Sequence, residues 1–227
     1  MTSSATAERL RNDRIAAAML ARLARDPELS VVKHRLQVTS FGGSGTTALI
    51  EHLILCGADL PRTPGSFPFK HQSRPPDPET VPVGFRVLFP ISDPRDAVVS
   101  IFRRNFQGGH YRGMRLRAPC PEAEARLASL DAFLAGGRDE FGFGDQFRAW
   151  HDGAPGYPVA FVRTSALGDV WDEVRRFAGL GATVPPFVWR PRASSWRELP
   201  AAERSRVDAI YGPLAAELDA LPAFAVG

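Results

Sequence analysis

The stretch Leu36-Gln-Val-Thr-Ser-Phe-Gly-Gly-Ser-Gly-Thr-Thr-Ala-Leu-Ile-Glu-His-Leu53 decides the fold of this chain. Its pattern predicts a short apolar strand over 36–41, a glycine-rich turn, and a helix over about 46–55. This order brings backbone N–H groups and hydroxyls to the positive end of a helix, where an anion binds. We therefore expect the turn to hold a phosphate or sulfate group, supplied by a nucleotide carrier.

The turn differs from the common ATP-binding loop. That loop reads G-x-x-x-x-G-K-[ST], whereas Gly45 is followed here by Thr46 and the turn contains no lysine. A glycine-rich turn is also an ordinary structural feature, so the other segments of the chain have to decide its role.

Strands alternate with helices on either side of this stretch. A second strand is predicted over 85–91, and Ser92-Asp-Pro-Arg-Asp96 opens a helix, with Asp93 as its N-cap and Asp96 completing a capping-box-like pattern. Pro90 is unusual in a central strand, so the second strand is expected to end there. A third strand over 157–162 and a helix over 170–178 follow.

The alternation predicts an α/β fold, a three-layer α/β/α domain with a central parallel sheet, and the length suits one domain over 1–227. Ligands of such folds bind beyond the carboxyl ends of the strands, so the turns after Phe41 and Ile91 should face one crevice. The other predicted elements are an N-terminal helical extension over 1–30 with its helix over 5–26, an irregular loop over 61–82, a mobile Gly- and Arg-rich segment over 107–121, helices over 121–135, 143–151 and 200–218, and a loop over 185–196.

Composition narrows the classes of protein. No run of about 18 apolar residues exists, so no membrane span is expected, and the N-terminus lacks an apolar signal core. Cys56 and Cys120 are isolated thiols without metal-like spacing, which fits a cytoplasmic protein without a metal site. The net charge is only +3 and the basic residues are scattered, which argues against nucleic-acid binding. A basic cleft for a polyanionic small molecule is an interpretation at least as good.

Four segments, in order along the chain, carry a resemblance to a known family. They are Ser40-Phe-Gly-Gly-Ser-Gly-Thr-Thr47, Val87-Leu-Phe-Pro-Ile-Ser-Asp-Pro-Arg-Asp-Ala-Val-Val-Ser100, Tyr157-Pro-Val-Ala-Phe-Val-Arg163 and Ser195-Trp-Arg-Glu-Leu-Pro-Ala-Ala-Glu-Arg204. The first resembles the 5′-phosphosulfate loop Y-P-K-S-G-T-T of the cytosolic-type sulfotransferases, and the second resembles their 3′-phosphate segment R-[ND]-P-[KR]-D-[VA]-x-V-S. The third is similar to the strand before their R-Y-E-D-L motif, and the fourth to their C-terminal W-R segment. Over residues 36–218 the chain therefore resembles a divergent, bacterial-type member of this family.

The resemblance implies a P-loop-like strand–loop–helix and a specific reaction. A sulfuryl group would pass from PAPS (3′-phosphoadenosine 5′-phosphosulfate) to a hydroxyl of a small-molecule acceptor, without a metal. His71 would be the general base, with Lys70 beside it. The residues implied in PAPS binding are Gly42, Gly43, Ser44, Gly45, Thr46 and Thr47 for the phosphosulfate, Ser92, Ser100, Arg190 and Arg192 for the 3′-phosphate, and Trp196. Trp196 is also a candidate anchor for the last helix, and residues 108–117 match the region that covers the acceptor.

Three positions depart from the family pattern. The loop lysine that stabilises the leaving phosphate falls at Gly43, the arginine of the 3′-phosphate turn falls at Ser92, and Tyr-Glu-Asp reads Thr164-Ser-Ala166. Lys70 is our candidate for the missing cation. Two alternatives stay open: a kinase-like phosphotransferase that uses ATP and magnesium, and a non-catalytic nucleotide-binding relative.

Overall fold

The computed structural model describes residues 32–61, 70–115, 119–188 and 194–227, together with Arg14, Ala17, Ala18 and Ala21. Those four isolated residues are helical. The rest of the predicted N-terminal extension, and the predicted site residues Arg190 and Arg192, lie outside the described part of the chain.

A four-stranded sheet forms the centre of the molecule, in the order β1 (Leu36–Val38), β2 (Arg86–Ile91), β3 (Val159–Arg163) and β4 (Phe224–Val226). β1, β2 and β3 run parallel, and β4 pairs with β3 in the antiparallel direction. The predicted α/β class with a mostly parallel sheet is confirmed. β4 was not predicted, because three residues are too short to show a strand periodicity.

Eight α-helices accompany the sheet in the described part of the chain. They are α1 (Thr46–Leu55), α2 (Pro94–Arg103), α3 (Gln107–Arg115), α4 (Pro121–Arg126), α5 (Leu130–Ala135), α6 (Phe143–His151), α7 (Trp171–Phe177) and α8 (Ala201–Asp219). None of these helices is long and apolar enough to cross a membrane.

Both faces of the sheet are covered by apolar side chains, because successive residues of a strand point to opposite faces. One cluster contains Phe89 of β2 and Phe161 of β3, with side chains from α2, α6 and α8. The other contains Leu88 and Val162, with side chains from α1 and α7. Helices therefore pack against each side of the sheet, and the carboxyl ends of the strands remain the edge at which loops gather.

Two sequence predictions about α3–α5 were wrong. Residues 107–115, expected to be mobile, form α3, which buries Gln107, His110, Tyr111 and Met114 along one face. The single helix expected over 121–135 is two helices, because Ser129 caps α5 by accepting the backbone N–H of Ala132.

β2 continues through Pro90 instead of ending there, which corrects a third prediction. The carbonyl of Leu88 faces β1, and alternation puts the nitrogen of Pro90 on the same side. β1 pairs with β2 only as far as Leu88, whereas β3 continues beside Pro90. Among the described residues no strand lies opposite the nitrogen of Pro90, so the missing N–H breaks no hydrogen bond of the sheet.

Candidate functional site

The turn after β1 is held in a conformation that requires glycine. Gly42, Gly43 and Gly45 have φ angles of 81°, 65° and 72°, in the left-handed region that L side chains rarely adopt. Gly45 is the N-cap residue of α1 and offers no side chain to cap it. The start of α1 is therefore open.

A run of backbone N–H groups follows this turn without acceptors. The first helical hydrogen bond of α1 runs from Leu49 N–H to the carbonyl of Gly45, and no acceptor among the described residues takes the N–H of residues 43–48. Consecutive free amides in alternating handedness form a concave anion site, and the helix dipole adds positive potential. We call residues 42–47 the anion loop from here on.

The carbonyls at the start of the turn point into the protein. Ser40 O accepts from His71 Nδ1 at 2.9 Å and from Gln146 Nε2 at 3.2 Å. Phe41 O accepts from His110 Nε2 at 2.9 Å. Because a carbonyl only accepts, each imidazole carries its proton on the bonded nitrogen when neutral. These bonds hold the two carbonyl oxygens toward the side chains of His71, Gln146 and His110.

Hydroxyl groups connect the anion loop to its neighbours. Ser40 Oγ lies 2.6 Å from Thr46 Oγ1 and accepts the N–H of Gly42 at 3.2 Å. Ser92, in the turn after β2, donates to Ser44 Oγ at 3.1 Å. The turns after β1 and β2 therefore meet at one edge of the sheet, as the sequence predicts.

Gly43 is pressed against α2. A Cβ at this position would lie 2.8 Å from Ala97 Cα and 3.0 Å from the Ala97 carbonyl oxygen. Backbone atoms of a helix cannot move aside as a flexible side chain can. The lysine that the resembling family carries at this point does not fit this loop, which gives the departure a steric reason.

Lys70 brings a cation to the same place by another route. Its Nζ donates to Thr47 Oγ1 in the first turn of α1, and its backbone carbonyl accepts the N–H of Ser40. Burial lowers the pKa of Lys70, the nearby Arg104 lowers it further, and Glu51 opposes this. The ammonium group thus lies at the end of the helix that carries the free amides.

His71 follows Lys70 and is partly buried. Burial, followed by the charge of Lys70, lowers its pKa to about 3, although the bond to Ser40 O acts in the opposite direction. The imidazole is therefore neutral at neutral pH, and its Nε2 carries a lone pair. That is the protonation state of a base, and a neighbouring anion would raise its basicity.

The start of α2 is tied to the C-terminal segment. Asp93 caps α2 as predicted, accepting the N–H of Arg95, and Arg95 pairs with Asp93 and Asp208. Trp196 donates its indole N–H to Asp93 at 3.2 Å and its backbone N–H to Asp96 at 2.8 Å. The predicted capping box is therefore wrong, since Asp96 serves Trp196 instead.

Trp196 packs on α2 and Ser100 belongs to α2, the helix that the anion loop contacts through Gly43. The Trp196 ring stacks on the guanidinium of Arg95, 4.4 Å from the ring centre, and anchors the segment before α8 on α2. Ser100 lies one turn along α2 from Ala97, the residue that touches Gly43. The structure therefore brings Lys70, His71, Ser92 and the anion loop together, with Ser100 one turn away.

Sequence analysis missed the roles of His110 and Gln146. Gln107, His110, Tyr111 and Met114 follow the i, i+3, i+4, i+7 spacing of a buried helix face, but the neighbouring glycines suggested a flexible segment. Gln146 is 1% exposed on α6 and also donates to the carbonyl of Gln72 at 2.6 Å. Only the folded chain shows that both side chains hold the carbonyls just before the anion loop, those of Phe41 and Ser40.

Comparison with protein-family models, with curated proteins and with solved structures finds no match to this chain. Within the described residues, no group of three or more His, Cys, Asp or Glu side chains is arranged to hold a metal ion. The function therefore has to be inferred from the geometry of the site.

Proposed function

We propose that this chain is a sulfotransferase that moves a sulfuryl group from PAPS to a hydroxyl of a small-molecule acceptor. One observation carries the proposal: the run of free amides over 43–48 opens beside the ammonium group of Lys70 and the imidazole of His71. The first two features suit a phosphosulfate, and the third suits an acceptor that must lose a proton. In this proposal the strand–loop–helix works as a P-loop-like donor site in a cytoplasmic enzyme.

The anion loop would hold the 5′-phosphate end of the donor. Sulfuryl transfer, like phosphoryl transfer, depends on in-line positioning and on stabilising charge that develops on the leaving oxygen. The free amides supply fixed dipoles for that charge, and Lys70 supplies a full positive charge at the same helix end. Because Gly43 leaves no space for a side chain, Lys70 is the described lysine that can take this role.

His71 would accept the proton of the acceptor hydroxyl. The oxygen–sulfur bond to the acceptor forms while the bond between sulfur and the phosphate oxygen breaks, and the proton moves to Nε2 of His71. General base catalysis of this kind contributes roughly a hundredfold or more. The pKa of about 3 is too low for this task, but the negative charge of bound donor stabilises imidazolium and raises it.

The 3′-phosphate of the donor would lie at the second turn. Ser92 and Ser100 offer hydroxyl groups there, and the resemblance adds Arg190 and Arg192, whose forked guanidinium groups suit a phosphate. Trp196 could contact the nucleotide only with its ring, since its indole N–H is engaged with Asp93.

Binding and turnover measurements test the proposal. 3′-Phosphoadenosine 5′-phosphate should raise the melting temperature more than ATP or AMP at equal concentration. With PAPS and a panel of hydroxylated acceptors, His71→Ala should lower turnover by roughly a hundredfold or more at saturation. Near wild-type turnover by His71→Ala would refute the base assignment.

Two other results would favour the alternatives. Magnesium-dependent phosphate transfer from ATP, with no stabilisation by 3′-phosphoadenosine 5′-phosphate, would indicate the kinase-like enzyme. Tight binding of 3′-phosphoadenosine 5′-phosphate without transfer to any acceptor would indicate a non-catalytic nucleotide-binding protein.

A further inference from the structure

His110 is an imidazole buried beneath the anion loop. It is 2% exposed, and its ring centre lies 5.0 Å from that of His71, 5.2 Å from that of Phe141 and 5.8 Å from that of Phe143. The rings meet edge to face, which fixes the orientation of the imidazole. A polar ring in an aromatic enclosure carries a desolvation cost, so its hydrogen bond needs an explanation.

The ring of His110 fills the space in which Gly42 has no side chain. A Cβ at Gly42 would lie 2.1 Å from Cε1 of His110. The Nε2 of His110 donates to the carbonyl of Phe41, the residue just before Gly42. One side chain therefore contacts the peptide group on which the anion loop begins.

Because glycine has no side chain, steric repulsion within the anion loop does not by itself fix the conformation of the loop. Glycine populates positive and negative φ with similar ease, so the peptide between Phe41 and Gly42 can turn unless an external group holds it. The N–H of Gly42 is held by Ser40 Oγ and the carbonyl of Phe41 by His110. Turning this peptide would break both bonds and would release the free amides of residues 43–48, which follow it, from their fixed directions.

We infer that His110 is a positioning residue that locks the anion loop in its anion-binding form through the bond from Nε2 to the carbonyl of Phe41. The inference rests on the proposed function only in requiring that the loop binds an anion, whatever the carrier. Burial, and the neighbouring His71, lower the pKa of His110, so the ring stays neutral and adds no charge of its own to the site. Its contribution is geometric.

Three variants test this inference. His110→Leu keeps an apolar side chain in the enclosure but removes the donor, and His110→Gln keeps an N–H at the position of Nε2. His52→Leu is the matched control, since Nε2 of His52 also bonds a backbone carbonyl, that of Pro185, at 3.2 Å and near the far end of α1. The probes are inorganic pyrophosphate and 3′-phosphoadenosine 5′-phosphate, titrated by calorimetry into each folded variant.

His110→Leu should weaken binding of both probes by about tenfold or more, because the carbonyl of Phe41 loses its donor and the loop loses its fixed form. His110→Gln should stay within about threefold of wild type, and His52→Leu should bind like wild type even if its melting temperature falls. If His110→Leu does not fold, His110→Asn replaces it in the comparison with His110→Gln, because its amide is too short to reach Phe41 O.

Equal affinity of wild type and His110→Leu for pyrophosphate would overturn the inference. So would a weakening that His110→Gln shares in full, since that would indicate a packing role. Binding of pyrophosphate but not of 3′-phosphoadenosine 5′-phosphate by wild type would refute the proposed donor and leave the role of His110 measurable. Wild type that binds neither probe would overturn both.

Discussion

Substitution of Gly43 tests how the anion loop is built. Gly43 has a φ of 65°, and a Cβ there would lie 2.8 Å from Ala97 Cα. The left-handed conformation costs a non-glycine residue about 1–2 kcal/mol of stability. Forcing a methyl group against the backbone of a helix costs about 1–3 kcal/mol more. Gly43→Ala should therefore lower the free energy of unfolding by about 2–5 kcal/mol.

Gly137→Ala is the matched control for that substitution. Gly137 has a φ of 63°, and a Cβ there would meet no atom of the described residues within 4 Å. It should lose only the backbone cost, so the two variants should differ by about 1–3 kcal/mol in urea unfolding followed by tryptophan fluorescence. Equal losses in the two variants would show that Gly43 is not pressed against α2.

Gly43→Lys extends the same reasoning to function. The resemblance would suggest that this substitution restores a missing catalytic lysine. The contact with Ala97 predicts the opposite: affinity for 3′-phosphoadenosine 5′-phosphate should fall, and turnover with PAPS should not rise. Higher turnover by Gly43→Lys than by wild type would refute the steric account of this position.

Three further predictions follow from Lys70, His71 and Trp196. Lys70→Met should lower turnover with PAPS by about 100-fold or more, with a smaller effect on donor affinity. Lys33→Met, which changes an exposed lysine, should behave like wild type. Equal losses in binding and turnover would refute a role of Lys70 in the chemical step. The pKa of His71 is lowered from 6.5 to about 3 in the folded chain, so the unfolded chain binds more protons between these values, and stability should fall as pH falls through this window. By linkage, the loss of unfolding free energy from pH 7 to pH 5 should be roughly 2 kcal/mol greater in wild type than in His71→Gln. Equal losses in the two proteins, measured by urea unfolding, would contradict this prediction. Trp196→Phe should lower the free energy of unfolding by about 1 kcal/mol, because the hydrogen bond from the indole to Asp93 is lost. Unchanged affinity for 3′-phosphoadenosine 5′-phosphate would support the anchor role, whereas a large loss of affinity would indicate contact with the nucleotide.

The local elements of the site were readable from the sequence. The glycine-rich turn and the helix over 46–55 were predicted with the bounds that α1 has, and Asp93 was identified as the cap of α2. These features depend on neighbouring residues, since a capping side chain bonds a backbone N–H two or three residues away. The sequence also predicted that the turns after β1 and β2 meet, because parallel strands present their carboxyl ends at one edge.

The predictions that were wrong concern elements whose form depends on contacts between residues far apart in the sequence. α3 looked flexible because Gly108 and Gly109 have low helix propensity, yet both are buried, where packing outweighs propensity. β4 forms only because β3 offers an unpaired edge to residues 224–226. The continuation of β2 through Pro90 depends on where β1 ends.

The sequence by itself determined an α/β chain with a glycine-rich turn at the start of one helix and a second turn at the start of α2. It also placed Lys70 and His71 between these two turns, before β2. Tertiary structure alone decided that Gly43 has no space for a lysine, that Lys70 reaches Thr47 instead, and that His110 holds the carbonyl of Phe41. Glycine permits many backbone conformations, so no local pattern can select one. The selection comes from side chains that lie 23 to 106 positions from the atoms of the turn that they contact, and only the folded chain brings them there.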